Sequence, residues 1–93
     1  MGHKENVEKL RDELKKQNRN YTPEREELLK VISSMDGIYS LEDLYRKAFK
    51  KKTIHAKSTI YRTIDIYLNA GFIEEAKSSA RRKRYQTNHK AFK

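Results

Sequence analysis

At Gly71 the hydrophobic period of this chain changes, and that change limits what it can fold into. Upstream, apolar residues recur at helical spacing in four separate stretches. Downstream, FIEEAK (72–77) and RKRYQT (82–87) have the composition of short strands, with SSAR (78–81) as the turn between them. A chain of 93 residues that is 35% apolar has room for one small domain around a thin core. Helices and a hairpin sharing that core are the expected solution. The expected class is α+β, a winged helix-turn-helix of about four helices followed by a two-stranded antiparallel wing, in a single domain over residues 1–93.

Each helix carries its own punctuation. Val7, Leu10 and Leu14 form a narrow stripe on a helix over 4–17, which NRN (18–20) ends. Thr22 followed by Pro23 reads as an N-cap and a proline at the first helical position. The second helix is expected from Pro23 to about Met35, burying Leu28, Leu29 and Ile32, with Asp36-Gly37 as its stop. Ser40 should cap a third helix, SLEDLYRKAFKKK, with Asp43 as the acid of a capping box. Its inward face is Leu41, Leu44, Tyr45, Ala48 and Phe49. The fourth helix is expected from about Ala56, a weak N-cap, to Ala70, with Ile60, Ile64, Tyr67 and Leu68 inward and Gly71 as C-cap.

Charge narrows the partners. Lys and Arg outnumber Asp and Glu by 22 to 13, a net +9. Residues 1–36 are neutral overall, whereas 37–71 carry +4 and 72–93 carry +5. An excess confined to one part of the chain favours a polyanion docking there. The absence of cysteine excludes disulfides and thiolate metal sites. No apolar run approaches the ~20 residues of a membrane span, and no apolar segment follows the first charges as in a secretory signal. A cytoplasmic location is the expectation. An enzyme is not, because no nucleophile–base pair or glycine-rich phosphate loop is present. The acids Glu24, Glu26 and Glu27 crowd a helix start, where the dipole accounts for them.

The fourth helix poses a question of its own. Its core stripe should lie inward, yet its first two turns carry Lys57, Ser58, Thr59, Tyr61 and Arg62. A helix that reads double-stranded DNA needs both properties, one face packed and the front of the other in the major groove. Lys57 and the hydroxyls of Ser58 and Thr59 suit backbone phosphates. The Arg62 fork matches guanine O6 and N7, and the Tyr61 ring suits thymine methyls. Tyr61 could instead be a half-buried core tyrosine, and Arg62 a solvated surface arginine. Lys51 lies in a lysine run that suits both the negative end of the third helix and a DNA backbone. In the wing, strand alternation places Arg82 and Arg84 on one face for backbone contact, with Tyr85 turned to the core.

Together these segments resemble the DNA-binding domain of the ferric uptake regulator family. The matching segments are YTPEREELLKVI, YSLEDLYRKAF, STIYRTIDIYLNAGFIEE and RKRYQT, in family order over roughly residues 10–89. The family's motifs T-P-x-R, S-x-E-D-L-Y and A-T-V-Y-R appear here as Thr22-Pro23-Glu24-Arg25, Ser40-Leu41-Glu42-Asp43-Leu44-Tyr45 and Ser58-Thr59-Ile60-Tyr61-Arg62. The resemblance implies operator reading by a metal- or peroxide-responsive bacterial repressor, with base contacts at Tyr61 and Arg62. It also implies a basic residue just before the T-P-x-R threonine that reaches the minor groove. Asn20 stands nearest that position here, with Arg19 beside it.

The resemblance has departures. The chain stops at Lys93, where the family's second domain, carrying dimerisation and CxxC zinc sites, would begin. Either an excised domain or a naturally short protein fits that length. Ile38 and Gln86 stand where family sensors often place a metal-binding His and Glu, and His89 alone makes only a weak metal candidate. The turn SSAR lacks the family's usual glycines. No cofactor is therefore expected in this chain, while a longer parent would respond to Fe, Zn or Mn. The resemblance implies a homodimer for a full-length protein, with the isolated domain able to stand as a monomer. The competing function is a protein-interaction winged helix, or a short regulator that sequesters a partner, since fold does not fix function.

Overall fold

The computed structural model describes residues 3–51, 54, 56–76 and 83–91. Four helices are present: α1 (His3–Lys16), α2 (Pro23–Ser33), α3 (Leu41–Ala48) and α4 (Lys57–Ala70). Three strands, β1 (Ile38–Ser40), β2 (Ile73–Ala76) and β3 (Arg84–Thr87), form an antiparallel sheet in the order β1-β3-β2. A 3₁₀ turn, His89–Ala91, follows. Helix α2 touches α1, α3 and α4, and α4 runs straight into contact with β2. The core collects Leu10, Leu14, Leu28, Leu29, Ile32, Leu44, Ile60 and Tyr67, all essentially inaccessible.

The local signals act as their chemistry dictates. Thr22 Oγ1 accepts from the Arg25 amide at 3.2 Å, with Pro23 at the first position of α2. Ser40 Oγ accepts from the Asp43 amide at 3.1 Å, and Asp43 Oδ2 accepts from the Ser40 amide at 3.0 Å, closing the capping box. The hydrogen bond from the Ser40 amide, with a further contribution from the Ser40 side chain, holds the Asp43 carboxyl below the usual aspartate pKa. Asn18 adopts the left-handed conformation as α1 ends, and the Arg19 amide returns to the Leu14 carbonyl at 2.8 Å. Gly71, at φ 79°, turns the chain out of α4, its amide and that of Phe72 reaching back to Leu68 and Tyr67.

Four expectations need correction. Helix α2 ends at Ser33, short of Met35, and Ser34 rather than Asp36-Gly37 caps it. Helix α3 ends at Ala48, and Phe49, expected inward, is 42% exposed because it follows the last helical turn and stacks on Tyr45 from outside. The strands are shorter than expected, Ile73–Ala76 and Arg84–Thr87. The sheet also has a third strand, β1, paired Ile38 to Gln86, Tyr39 to Tyr85 and Ser40 to Arg84. The expected turn SSAR, with Arg82, lies outside the described residues.

Strand β3, between the other two, is fastened to the helices by a buried hydroxyl chain. Thr87 Oγ1 donates to the Ile32 carbonyl at 2.7 Å, so the Tyr39 hydroxyl, 2.8 Å away, donates to Thr87. Burial raises the Tyr39 pKa. Helix α1 is tied on by Gln17 Nε2, which donates to the Ile66 carbonyl at 3.0 Å, and by Lys9 Nζ, which donates to the Ala91 carbonyl at 2.7 Å.

Candidate nucleic-acid interface

Helix α4 separates its residues cleanly into two faces. Ile60, Thr63, Ile64, Ile66 and Tyr67 are buried. Thr63 tolerates burial because its hydroxyl donates to the Thr59 carbonyl one turn back, at 2.7 Å. Tyr67 is wholly buried, its hydroxyl donating to the Arg25 carbonyl, and burial pushes its pKa far up. On the other face Lys57, Ser58, Tyr61 and Arg62 are exposed, and Thr59 is half-buried. Tyr61 is 51% exposed, about half covered, and is not among the buried core residues. Ala56, extended before the helix, offers no side-chain cap, so no side chain of that residue competes for the first amides of α4.

Tyr61 does not stand unsupported. Its ring meets Tyr45 of α3 edge-on, with centroids 5.6 Å apart and planes at 83°. Tyr45 in turn stacks on Phe49, 5.7 Å away at 17°. Lys57 Nζ lies 5.0 Å from the centroid of the Tyr45 ring, within cation–π range. A cleft of about 620 Å³ opens here, lined by Tyr45, Lys57, Tyr61, Lys83 and Arg84, with Glu42 in its wall. The cleft thus joins the front of α4 to the start of β3 and gathers three cations with aromatic rings. Tyr85 is buried, as strand alternation requires, and half-buried Arg84 contributes to lowering the Asp43 pKa.

The other candidate residues are distributed as follows. Arg62 is exposed but does not line the cleft. Lys51 is exposed just beyond α3, its amide bonded to the Ala48 carbonyl at 2.9 Å. Arg19 and Asn20 are exposed on the loop between α1 and α2. That loop is held by Arg25 of the T-P-x-R motif, whose guanidinium donates to the Asn20 carbonyl. Sequence reasoning missed two cleft residues, Lys83, which precedes β3 and so escapes the strand alternation, and Tyr45, taken only as core.

Among the described residues no group of three His, Asp or Glu side chains is close enough to hold a metal ion. His89 Nε2 donates to the Met35 carbonyl at 3.1 Å, with Asp36 Oδ1 3.7 Å away. No helix among the described residues is long and apolar enough to cross a membrane.

This arrangement of helices, sheet and basic cleft can be set beside known proteins. Residues 15–93 match the ferric uptake regulator family. The chain belongs to that family. The family is one of transcriptional regulators, not of enzymes. A ferric uptake regulation protein of Synechococcus elongatus is 32% identical over 81 residues, which make up 85% of this chain and 55% of that protein. The ferric uptake regulator of Helicobacter pylori superposes with a TM-score of 0.77 at 24% identity, over 91% of this chain and 57% of that one. The regulator of Pseudomonas aeruginosa, solved with manganese, does so with a TM-score of 0.66 at 20% identity, over 83% and 58%. The chain therefore spans little more than half the length of these relatives, and the structural likenesses support a winged helix.

Proposed function

We propose that this chain reads operator DNA for a transcriptional repressor. One observation carries the reading: Tyr61 and Arg62 are both exposed at the front of a helix whose opposite face is buried. In this reading α4 enters the major groove and the two side chains meet base edges. Lys57, Ser58, Thr59, Lys51, Arg82 and Arg84 contact backbone phosphates, and Arg19 and Asn20 reach the adjacent minor groove. The cations of the cleft flank α4 on the side of β3, where a phosphate strand bordering the groove would run. Family membership supports the repressor role.

We propose that a full-length protein of this kind is a homodimer that responds to Fe, Zn or Mn. The Helicobacter pylori regulator has three functional metal-binding sites. Among the residues described here no group of three His, Asp or Glu side chains is close enough to hold a metal ion.

Selection from a random duplex library tests the reading. The expected result is a defined site, with each phosphate neutralised contributing a slope of about −0.9 in log K against log salt. Lys51→Ala should weaken all sequences alike and lower the slope by about 1. Recovery of no preferred duplex, or binding insensitive to salt, would reject it.

A further inference from the structure

The ring of Tyr45 has more partners among functional side chains than a core residue needs. It is only 5% exposed, on α3, yet its ring also contacts Phe49, Tyr61 and Lys57, all of them exposed. Two of these belong to α4 and carry the proposed base and phosphate contacts. An exposed tyrosine would ordinarily sample several side-chain rotamers. Tyr61 instead rests edge-on against a buried ring, and that ring is clamped on a further side by Phe49.

We propose that Tyr45 is a positioning residue for DNA reading: its ring is the shared platform that aims Tyr61 outward and holds Lys57 beside it. The proposal rests on the reading of Tyr61 as a base contact. The ring contacts carry the holding: the buried hydroxyl makes no well-formed hydrogen bond to a described residue, although the Tyr61 hydroxyl lies near enough to raise its pKa. Aromatic pairs gain from edge-to-face contact beyond the area they bury, and a cation over the ring face adds to it. Phe49 limits the directions in which the Tyr45 ring can yield. The platform thus couples the α3 motif residue to the two side chains that open α4, sixteen and twelve positions further along the chain.

The test uses the whole chain and two readouts. In the unaltered protein, ring protons of Tyr45 and Tyr61 should show a nuclear Overhauser contact, and its absence would overturn the proposal without any variant. In Tyr45→Leu, the Tyr61 ring resonances should move toward those of a free tyrosine. The ratio of selected-duplex to random-duplex affinity should fall about two- to tenfold, the range an aromatic pair commands. Random-duplex affinity, which depends on Lys57 but not on Tyr61, should fall less than selected-duplex affinity. Tyr45→Phe should restore the ratio to within about twofold of the parent chain. A folded Tyr45→Leu chain with an unaltered ratio, or a Tyr45→Phe chain as defective as Tyr45→Leu, contradicts the platform. Tyr61→Ala separates the two levels: if it leaves the ratio intact, the base-reading role falls and the platform with it. If Tyr61→Ala lowers the ratio and Tyr45→Leu does not, the platform alone falls.

Discussion

Two tyrosines, Tyr39 and Tyr45, are buried to nearly the same degree and do opposite things. Tyr39 sits where β1, β3 and α2 meet, and its hydroxyl enters a closed chain through Thr87 to the Ile32 carbonyl. Tyr45 sits under the front of α4, its hydroxyl without a well-formed hydrogen bond to a described residue and its ring touched by the exposed side chains of Phe49, Tyr61 and Lys57. Burial raises the pKa of both, first among the causes in each case, and the nearby Tyr61 hydroxyl adds to the rise at Tyr45. One region is satisfied and holds the sheet to the helices. The other leaves polar capacity unused beside a cationic cleft. Local rules are met where the domain only has to be stable, and they are relaxed where its surface has to meet something else.

Substitutions can break this contrast directly. Thr87→Val keeps the side-chain shape but leaves the Tyr39 hydroxyl and the Ile32 carbonyl without their partner. A loss of roughly 1–3 kcal/mol per stranded group is expected, read from the urea midpoint at constant slope. Tyr45→Phe, by contrast, removes a buried hydroxyl that makes no well-formed hydrogen bond to a described residue, and stability should hold or rise slightly. If the two variants cost the same, the distinction between the regions is wrong.

A smaller effect concerns acid. The native pKa of Asp43 is depressed, so its contribution to stability is fully present above the unfolded aspartate value of about 3.9 and fades as pH falls through the native value. Asp43→Asn should therefore flatten the acid limb of a stability-against-pH curve and leave the curve near neutrality slightly lower. An acid limb identical to that of the parent chain would mean that the capping box contributes nothing.

Much of this fold can be read from residues one turn apart, and the exceptions share a cause. Thr22, the Ser40–Asp43 box and Gly71 act within a few positions of themselves, so their chemistry predicts the helix ends directly. Strand β1 has three residues, too few for alternation to register, and it exists only because β3, more than forty positions on, pairs with it. Ile38 can be apolar and exposed because its side of that ladder faces out. Ile66 falls outside the expected stripe of α4 and is nonetheless buried, because α4 has neighbours on more than one side, α1 reaching it through Gln17. At the candidate site, periodicity alone turns Arg62 outward. The contact between Tyr45 and Tyr61 crosses from one helix to another, and no spacing along the chain encodes it.

The central claim is that the exposed front of α4 reads bases. Its most direct test is a paired titration of the parent chain and Arg62→Ala against the selected duplex and a scrambled one, at a single salt concentration. A loss of roughly 1–3 kcal/mol on the selected duplex, with little change on the scrambled one, is the expected result. Equal losses on both would mean that Arg62 only neutralises charge, and the claim would fail.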